Sequence, residues 1–213
     1  MTESEGVVKY RLAYRPGPLP PSADLDDLFR WFRHCRERGL IGRDPGRYGG
    51  FGFGNISCRA ARGFIISGTQ TGGNDSLGAD DLAWVEVFDV GRNRLVASGP
   101  SRPSSEAMTH GQIYQELPGV KAVIHVHSPA IWRHARSLGL PLTDPSAAYG
   151  TPQMAAEVTR LLTASPPRTA GLFVMGGHED GVVGYGSEMD AAGQLLMDTL
   201  EAAEQPSAGA TAP

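Results

Sequence analysis

Apolar and polar residues alternate over residues 7–14, which predicts a strand. Pro16, Gly17, Pro18, Pro20 and Pro21 bring it to an end. The period then changes to that of a helix. Leu25, Leu28, Phe29, Phe32 and Cys35 share one face, Ser22 or Asp24 stands ready as a cap, and Gly39 closes the helix. Two short β-rich runs, residues 57–59 and 63–67, read as a hairpin, and residues 84–88 as a further strand before a turn at Gly91. A helix is expected over residues 104–115, and a strand rich in Val and Ile over 121–127. Residues 152–162 read as helix. The apolar runs 172–175 and 182–185 flank a Gly-rich turn, and Ser187 is expected to cap a last helix reaching about Ala203. Residues 205–213 are small and polar and are expected to be disordered.

Strands and helices intermingle without the regular spacing of a parallel βαβ fold. The expected architecture is α/β, three-layer α/β/α, with a central mixed, mostly antiparallel sheet. The division read from the pattern is an N-terminal extension with one strand (residues 1–21), one domain (22–204) and a tail (205–213).

A length of 213 residues suits one such domain, and 40% apolar with 20% charged residues is ordinary globular composition. A net charge of −4 with no basic run argues against a nucleic-acid partner. No apolar run reaches the roughly 18 residues of a membrane span, and the acidic first residues do not read as a signal peptide. Two cysteines, Cys35 and Cys58, make no disulfide framework, so the expected location is cytoplasmic.

The candidate chemistry begins at His125-Val126-His127. Residues two apart on a strand face one side, so both imidazoles can reach one ion. His-x-His also occurs among ordinary core and exposed histidines. His178 lies in the Gly-rich turn, where a polar hairpin tip is the plain alternative, and Glu106 stands near a helix start, where an acid is favoured by the helix dipole alone. Three histidines and a nearby carboxylate would together suit a catalytic zinc site. Other His-rich designs fit less well. A cupin would need a Glu where Ile131 stands, the zincin His-Glu-x-x-His is missing, and there is no Gly-x-Ser-x-Gly elbow.

Four pieces in order, Gly54-Asn55-Ile56-Ser57, Ile66-Ser67-Gly68-Thr69, Pro103-Ser104-Ser105-Glu106 and Val123-Ile124-His125-Val126-His127-Ser128, resemble the class II aldolase/adducin family. That family includes fuculose-phosphate and rhamnulose-phosphate aldolases, ribulose-phosphate 4-epimerase and methylthioribulose-phosphate dehydratase. The resemblance runs from about Leu25 to Ala203. It implies that His125, His127 and His178 hold a divalent metal, most simply zinc, and that Glu106 is the acid/base. It also implies that Gly54, Asn55, Ser67, Gly68, Ser104 and Ser105 form the substrate-phosphate pocket. His110 is read as structural, and Ser104 or Ser105 could serve only as a helix cap.

The implied activity is cleavage of a sugar or ketose phosphate to dihydroxyacetone phosphate and an aldehyde, with the ion as Lewis acid for an enediolate. Dehydration or epimerisation would use the same site. A non-catalytic adducin-like binding module and a zinc-hydroxide hydrolase are the other readings. A homotetramer with active sites at subunit interfaces is the implied assembly. The sequence departs from the family at Glu179 and Asp180, which lengthen the turn after His178 and offer two further carboxylates. It departs again in a shortened stretch before Tyr149-Gly150-Thr151, where Tyr149 could replace the family's cross-subunit tyrosine.

Overall fold

The computed structural model describes residues 8–20, 25–164 and 170–205. Its strands are β1 (Arg11–Pro16), β2 (Gly42–Arg43), β3 (Gly52–Phe53), β4 (Asn55–Arg59), β5 (Phe64–Ser67), β6 (Leu82–Asp89), β7 (Arg94–Gly99), β8 (Ala122–His127), β9 (Ala170–Val174) and β10 (Gly181–Gly186). The α-helices are α1 (Asp26–Glu37), α2 (Ala107–Glu116), α3 (Pro129–His134), α4 (Pro152–Thr163) and α5 (Met189–Glu204). Eight strands form one sheet in the order β1-β7-β6-β5-β4-β8-β10-β9, and β2 pairs with β3 separately. Among the described strands of the large sheet only β1 and β7 run parallel, so the sheet is mixed and mostly antiparallel, as expected.

Alternation along the central strands divides the core into two layers. Ile124 and Val126 of β8, with Val182 of β10, point to the side covered by α1, α3 and α5, where they join Leu28, Phe32, Ile131 and Leu196. Val123 and Val183 point to the other side, against Ile113 of α2 and Met154 and Val158 of α4. The molecule is therefore a three-layer α/β/α sandwich. None of its described helices is long and apolar enough to cross a membrane.

Several boundaries differ from those expected. The first strand lies further along the chain, because its pairing with β7 runs from Arg11 opposite Arg94 to Pro16 opposite Gly99. A proline is tolerated there, at the end of an edge strand. Helix α1 has Leu25 at its N-cap with no side-chain bond, and the candidate caps Ser22 and Asp24 lie outside the described residues. The expected helix over 104–115 begins three residues later, at Ala107. Pro103 bridges to Gly68, and the Ser104 N–H donates to the Ser67 carbonyl, which holds this stretch as a turn. Glu188, not Ser187, is the N-cap of α5. Strand β7 and helix α3 were not expected. Cys35 and Cys58 are free thiols, as expected.

Candidate metal and acid-base site

Strand β8 lies inside the sheet, with β4 on one side and β10 on the other. His125 sits opposite Asn55 and Val183, and His127 opposite Gly181. Alternation sends His125 and His127 to the α2 side of the sheet, the side that Val123 shares. The α2 N-terminus brings Glu106, its N-cap residue, onto the same side. His178 arrives from the turn that leads into β10, held by its own N–H to the Met175 carbonyl and by the Gly181 N–H to the His178 carbonyl.

The turn is Gly-rich because of close packing: a Cβ on Gly177 would lie 2.2 Å from the Ala147 carbonyl oxygen. Antiparallel pairing of β8 and β10 is what carries this distant turn back over His127.

The three histidines offer ligand atoms that all lie within 4.8 Å of one another. Glu106 Oε2 is 2.8 Å from His125 Nε2, and Glu106 Oε1 is 3.4 Å from His178 Nε2. The carboxylate thus shares the centre on which the imidazoles converge. All four side chains are buried. His125 Nδ1 is 3.2 Å from the Val182 carbonyl oxygen, which can only accept, so Nδ1 carries a hydrogen and Nε2 is the ring nitrogen that faces the centre. Asn55 Nδ2 donates to Glu106 Oε2 at 3.3 Å, while Asn55 Oδ1 and Glu106 Oε1 are buried with no hydrogen bond among the described residues. A cation would satisfy such a donor set, since neutral imidazoles and one carboxylate are ordinary ligands for a borderline divalent ion.

Burial disfavours charge on the imidazoles. It lowers His178 to about 4, against the opposing charge of Glu106 and with smaller help from His125 and Lys9. Burial also lowers His110 to about 3 and takes His127 well below its ordinary value. For Glu106 burial acts upward, but the charges of His125 and His178, the His125 hydrogen bond and His110 outweigh it and hold the carboxyl at about 2.

Both effects have the same sign for stability. Below pH 6.5 an unfolded chain takes up protons that the folded histidines refuse, and below about 4.5 it protonates a carboxylate that the fold keeps ionised. The thermal midpoint of metal-free protein is therefore expected to fall as pH drops from 6.5 towards 4, each such histidine contributing about 1.4 kcal/mol per pH unit. A flat profile over that window, followed by circular dichroism, would contradict these environments.

The other candidate residues surround this centre in different ways. Gly54 has φ +78°, and a Cβ there would meet Ile41 Cγ1 at 2.6 Å and the His125 carbonyl at 3.2 Å. It lets the chain between β3 and β4 pass against β8. Gly54→Ala is expected to cost about 1–3 kcal/mol in a denaturant titration. The Ser67 hydroxyl accepts from the Ile56 N–H at 3.1 Å, and the Gly68 N–H donates to the Asp81 carbonyl at 2.7 Å. Ser104 Oγ accepts weakly from the Glu106 N–H, at 3.4 Å, and Ser105 is buried beside it. His110 lies behind the site. Its Nδ1 is 2.7 Å from Ser57 Oγ, which is 2.8 Å from Tyr114 Oη.

The two extra acids part company. Glu179 is exposed, whereas Asp180 is buried and accepts the Tyr48 hydroxyl at 2.6 Å. Arg47 Nη2 donates to Tyr48 Oη at 2.5 Å and lies 3.6 Å from Asp180 Oδ2. The Tyr48 ring packs edge-on against His127, with centroids 4.4 Å apart. Tyr149 is fully buried, its ring 4.6 Å from that of His178. Arg47 and Tyr48 were missed as site residues. Tyr48 has φ +49° in a Gly-rich stretch, and its partner Asp180 lies far along the chain, so no local pattern marks it.

A three-layer α/β/α domain with three converging histidines and a buried glutamate defines the class of this molecule. Residues 47–205 match the Class II Aldolase and Adducin N-terminal domain, and the chain belongs to the class II aldolase and adducin family. It is similar to the 5-methylthioribulose-1-phosphate/5-deoxyribulose-1-phosphate aldolase of Rhodospirillum rubrum, with 31% identity over 171 residues, which is 71% of this chain and 69% of that one. Among solved structures it resembles the L-fuculose-1-phosphate aldolase from Thermus thermophilus, with a TM-score of 0.63 and 19% identity over 84% of this chain and 89% of that one. A sugar-phosphate aldolase from Thermotoga maritima gives a TM-score of 0.59 at 16% identity, covering 84% and 90%. At these identities the structural matches speak for the fold.

Proposed function

We propose that the chain is a metal-dependent lyase that cleaves a ketose phosphate between two carbons, giving dihydroxyacetone phosphate and an aldehyde. The observation that carries this reading is the meeting of His125, His127 and His178 with the Glu106 carboxylate at one buried centre. His125, His127 and His178 would hold a divalent ion, zinc by the preference of a three-imidazole set. When bound, that ion supplies Lewis acidity towards the carbonyl and neighbouring hydroxyl oxygens of the substrate.

The protein's own groups do the rest. Glu106 is ionised, buried and oriented by the Asn55 amide, so it can take a proton from the substrate and return it. The Ser104-Ser105 turn and Asn55 offer hydroxyls and an amide to the phosphate, and Gly54 shapes the wall. Ser67 and Gly68 would contribute by bracing that turn, since their polar groups are hydrogen-bonded within the fold. The burial of the four central side chains excludes bulk water from the reacting carbons. A cytoplasmic homotetramer, with active sites closed at subunit boundaries, is the assembly this reading implies.

The test is product analysis over a panel of phosphorylated ketoses, using protein purified without chelator and assayed for metal. The expected result is about one divalent ion per chain and release of dihydroxyacetone phosphate. Dehydrated or epimerised products from the same panel would assign the site to those reactions instead. Metal-free protein that turns over none of the panel would overturn the enzyme reading in favour of a binding module.

A further inference from the structure

Four described residues other than glycine have a positive φ, and two of them, Tyr48 at +49° and Asp180 at +61°, are the two ends of one hydrogen bond. Aspartate tolerates the left-handed region, whereas a bulky tyrosine rarely enters it, and such a backbone persists only where its surroundings hold it. Here they hold it from both sides. The Tyr48 hydroxyl donates to Asp180 Oδ2, and Arg47 donates to that hydroxyl while its guanidinium lies within ion-pair reach of the same carboxylate oxygen. Burial first, and Asp180 next, push the Tyr48 hydroxyl well above its ordinary pKa, so it stays a donor.

Each end of this bond is joined to a different histidine. The Tyr48 ring stands edge-on to His127 with centroids 4.4 Å apart, and the Phe53 ring lies next to it at 5.4 Å from His127. The Asp180 carbonyl accepts from the Ser128 N–H at 2.8 Å, which fastens the turn to the chain just past His127. The same turn carries His178, whose ring lies against the turn's own backbone. A Cβ on Gly181 would meet His178 Cδ2 at 2.7 Å. The imidazole therefore goes where the turn goes, and the bond from Tyr48 ties that turn to the loop before β3 with His127 between them.

The geometry points to Tyr48 and Asp180 as positioning residues of the metal cage, a latch that fixes the spacing of His127 and His178 by joining the segments that flank them. This assignment rests on the reading above that the three histidines hold a divalent ion. Neither residue is a ligand. Each acts through the imidazole beside it, as outer partners orient metal-binding histidines elsewhere. The left-handed backbone at both ends is what lets two segments 132 residues apart meet at this bond.

The test is competition for zinc between a chromophoric chelator and wild type, Tyr48→Phe, Asp180→Asn, Asp180→Gly, and the double variant Tyr48→Phe with Asp180→Gly. Tyr48→Phe keeps the ring on His127, and Asp180→Gly relieves the left-handed backbone, so neither change adds strain. Each is expected to weaken zinc binding by about 10-fold, and the double variant by no more than the larger single effect, since both remove one interaction. Asp180→Asn keeps an acceptor and tolerates the same backbone, so it is expected to hold zinc nearly as tightly as wild type. Zinc bound by wild type and equally well by Tyr48→Phe and Asp180→Gly would overturn the latch and leave the metal reading standing. Additive losses in the double variant would also overturn it, because Tyr48 and Asp180 would then act separately. A wild type that binds no zinc would remove the metal reading and the latch together.

Discussion

Glu106→Gln is expected to lower kcat by about 100- to 10,000-fold while leaving the metal content of the protein unchanged. The amide keeps the shape of the carboxylate and can still accept at one oxygen, so the buried centre stays filled. What it loses is the ability to hold a proton and give it back. It also loses the negative charge that faces His125 Nε2 at 2.8 Å and His178 Nε2 at 3.4 Å. The decisive measurement pairs metal analysis with single-turnover kinetics. Full activity in Glu106→Gln would remove the glutamate from the chemistry. Loss of metal alongside activity would make it a ligand and nothing more.

The second large effect concerns the ion itself. Chelation of wild type is expected to abolish turnover and to lower the thermal midpoint, and both should return on adding zinc. With free ion at 100 times its dissociation constant, binding adds about 2.7 kcal/mol. For a chain of this size that corresponds to a shift of roughly 5–11 °C. His178→Ala should show neither the loss nor the recovery, because a set of two imidazoles on one strand cannot close round a cation without the third. His178 is the informative position, since it is delivered by a turn and not by β8. A His178→Ala protein that still gained the full shift would show that the ion is held elsewhere.

Much of this site can be read from the chain because its parts are local. The alternation Val123, His125, His127 fixes which histidines share a face, and the Val and Ile between them fix that the element is a strand. Glu106 stands out through the resemblance at Pro103-Ser104-Ser105-Glu106, since an acid near a helix start is ordinary by itself, and it is the N-cap of α2 instead of a residue of the first turn. What escaped is what depends on contacts between distant segments. Helix α3 has only six residues, too few for a period to show, although Ser128 caps it through the Ile131 N–H and Pro129 starts it. Strand β7 carries Leu95, Val96 and Ala97 in succession, and such a run does not distinguish strand from helix. The late start of α2 follows from a bridge between Pro103 and Gly68 and from the clamp by Tyr10 on Ser104. The pairing of Tyr48 with Asp180 needs both a left-handed tyrosine and a turn lengthened by two acids. Sequence can present Asp180 as a spare carboxylate; only the fold shows that it is already engaged.

The order of strands in the sheet has a consequence for how the protein matures. Neighbours of β8 come from opposite ends of the domain, β4 from before it and β10 from well after it. An emerging chain that has made His125 and His127 lacks His178 beside them until β10 docks, so an ion held by all three would be captured late and would report completed folding. Trace zinc during synthesis would then neither template the fold nor trap its intermediates, and insertion into the finished apoprotein should be efficient.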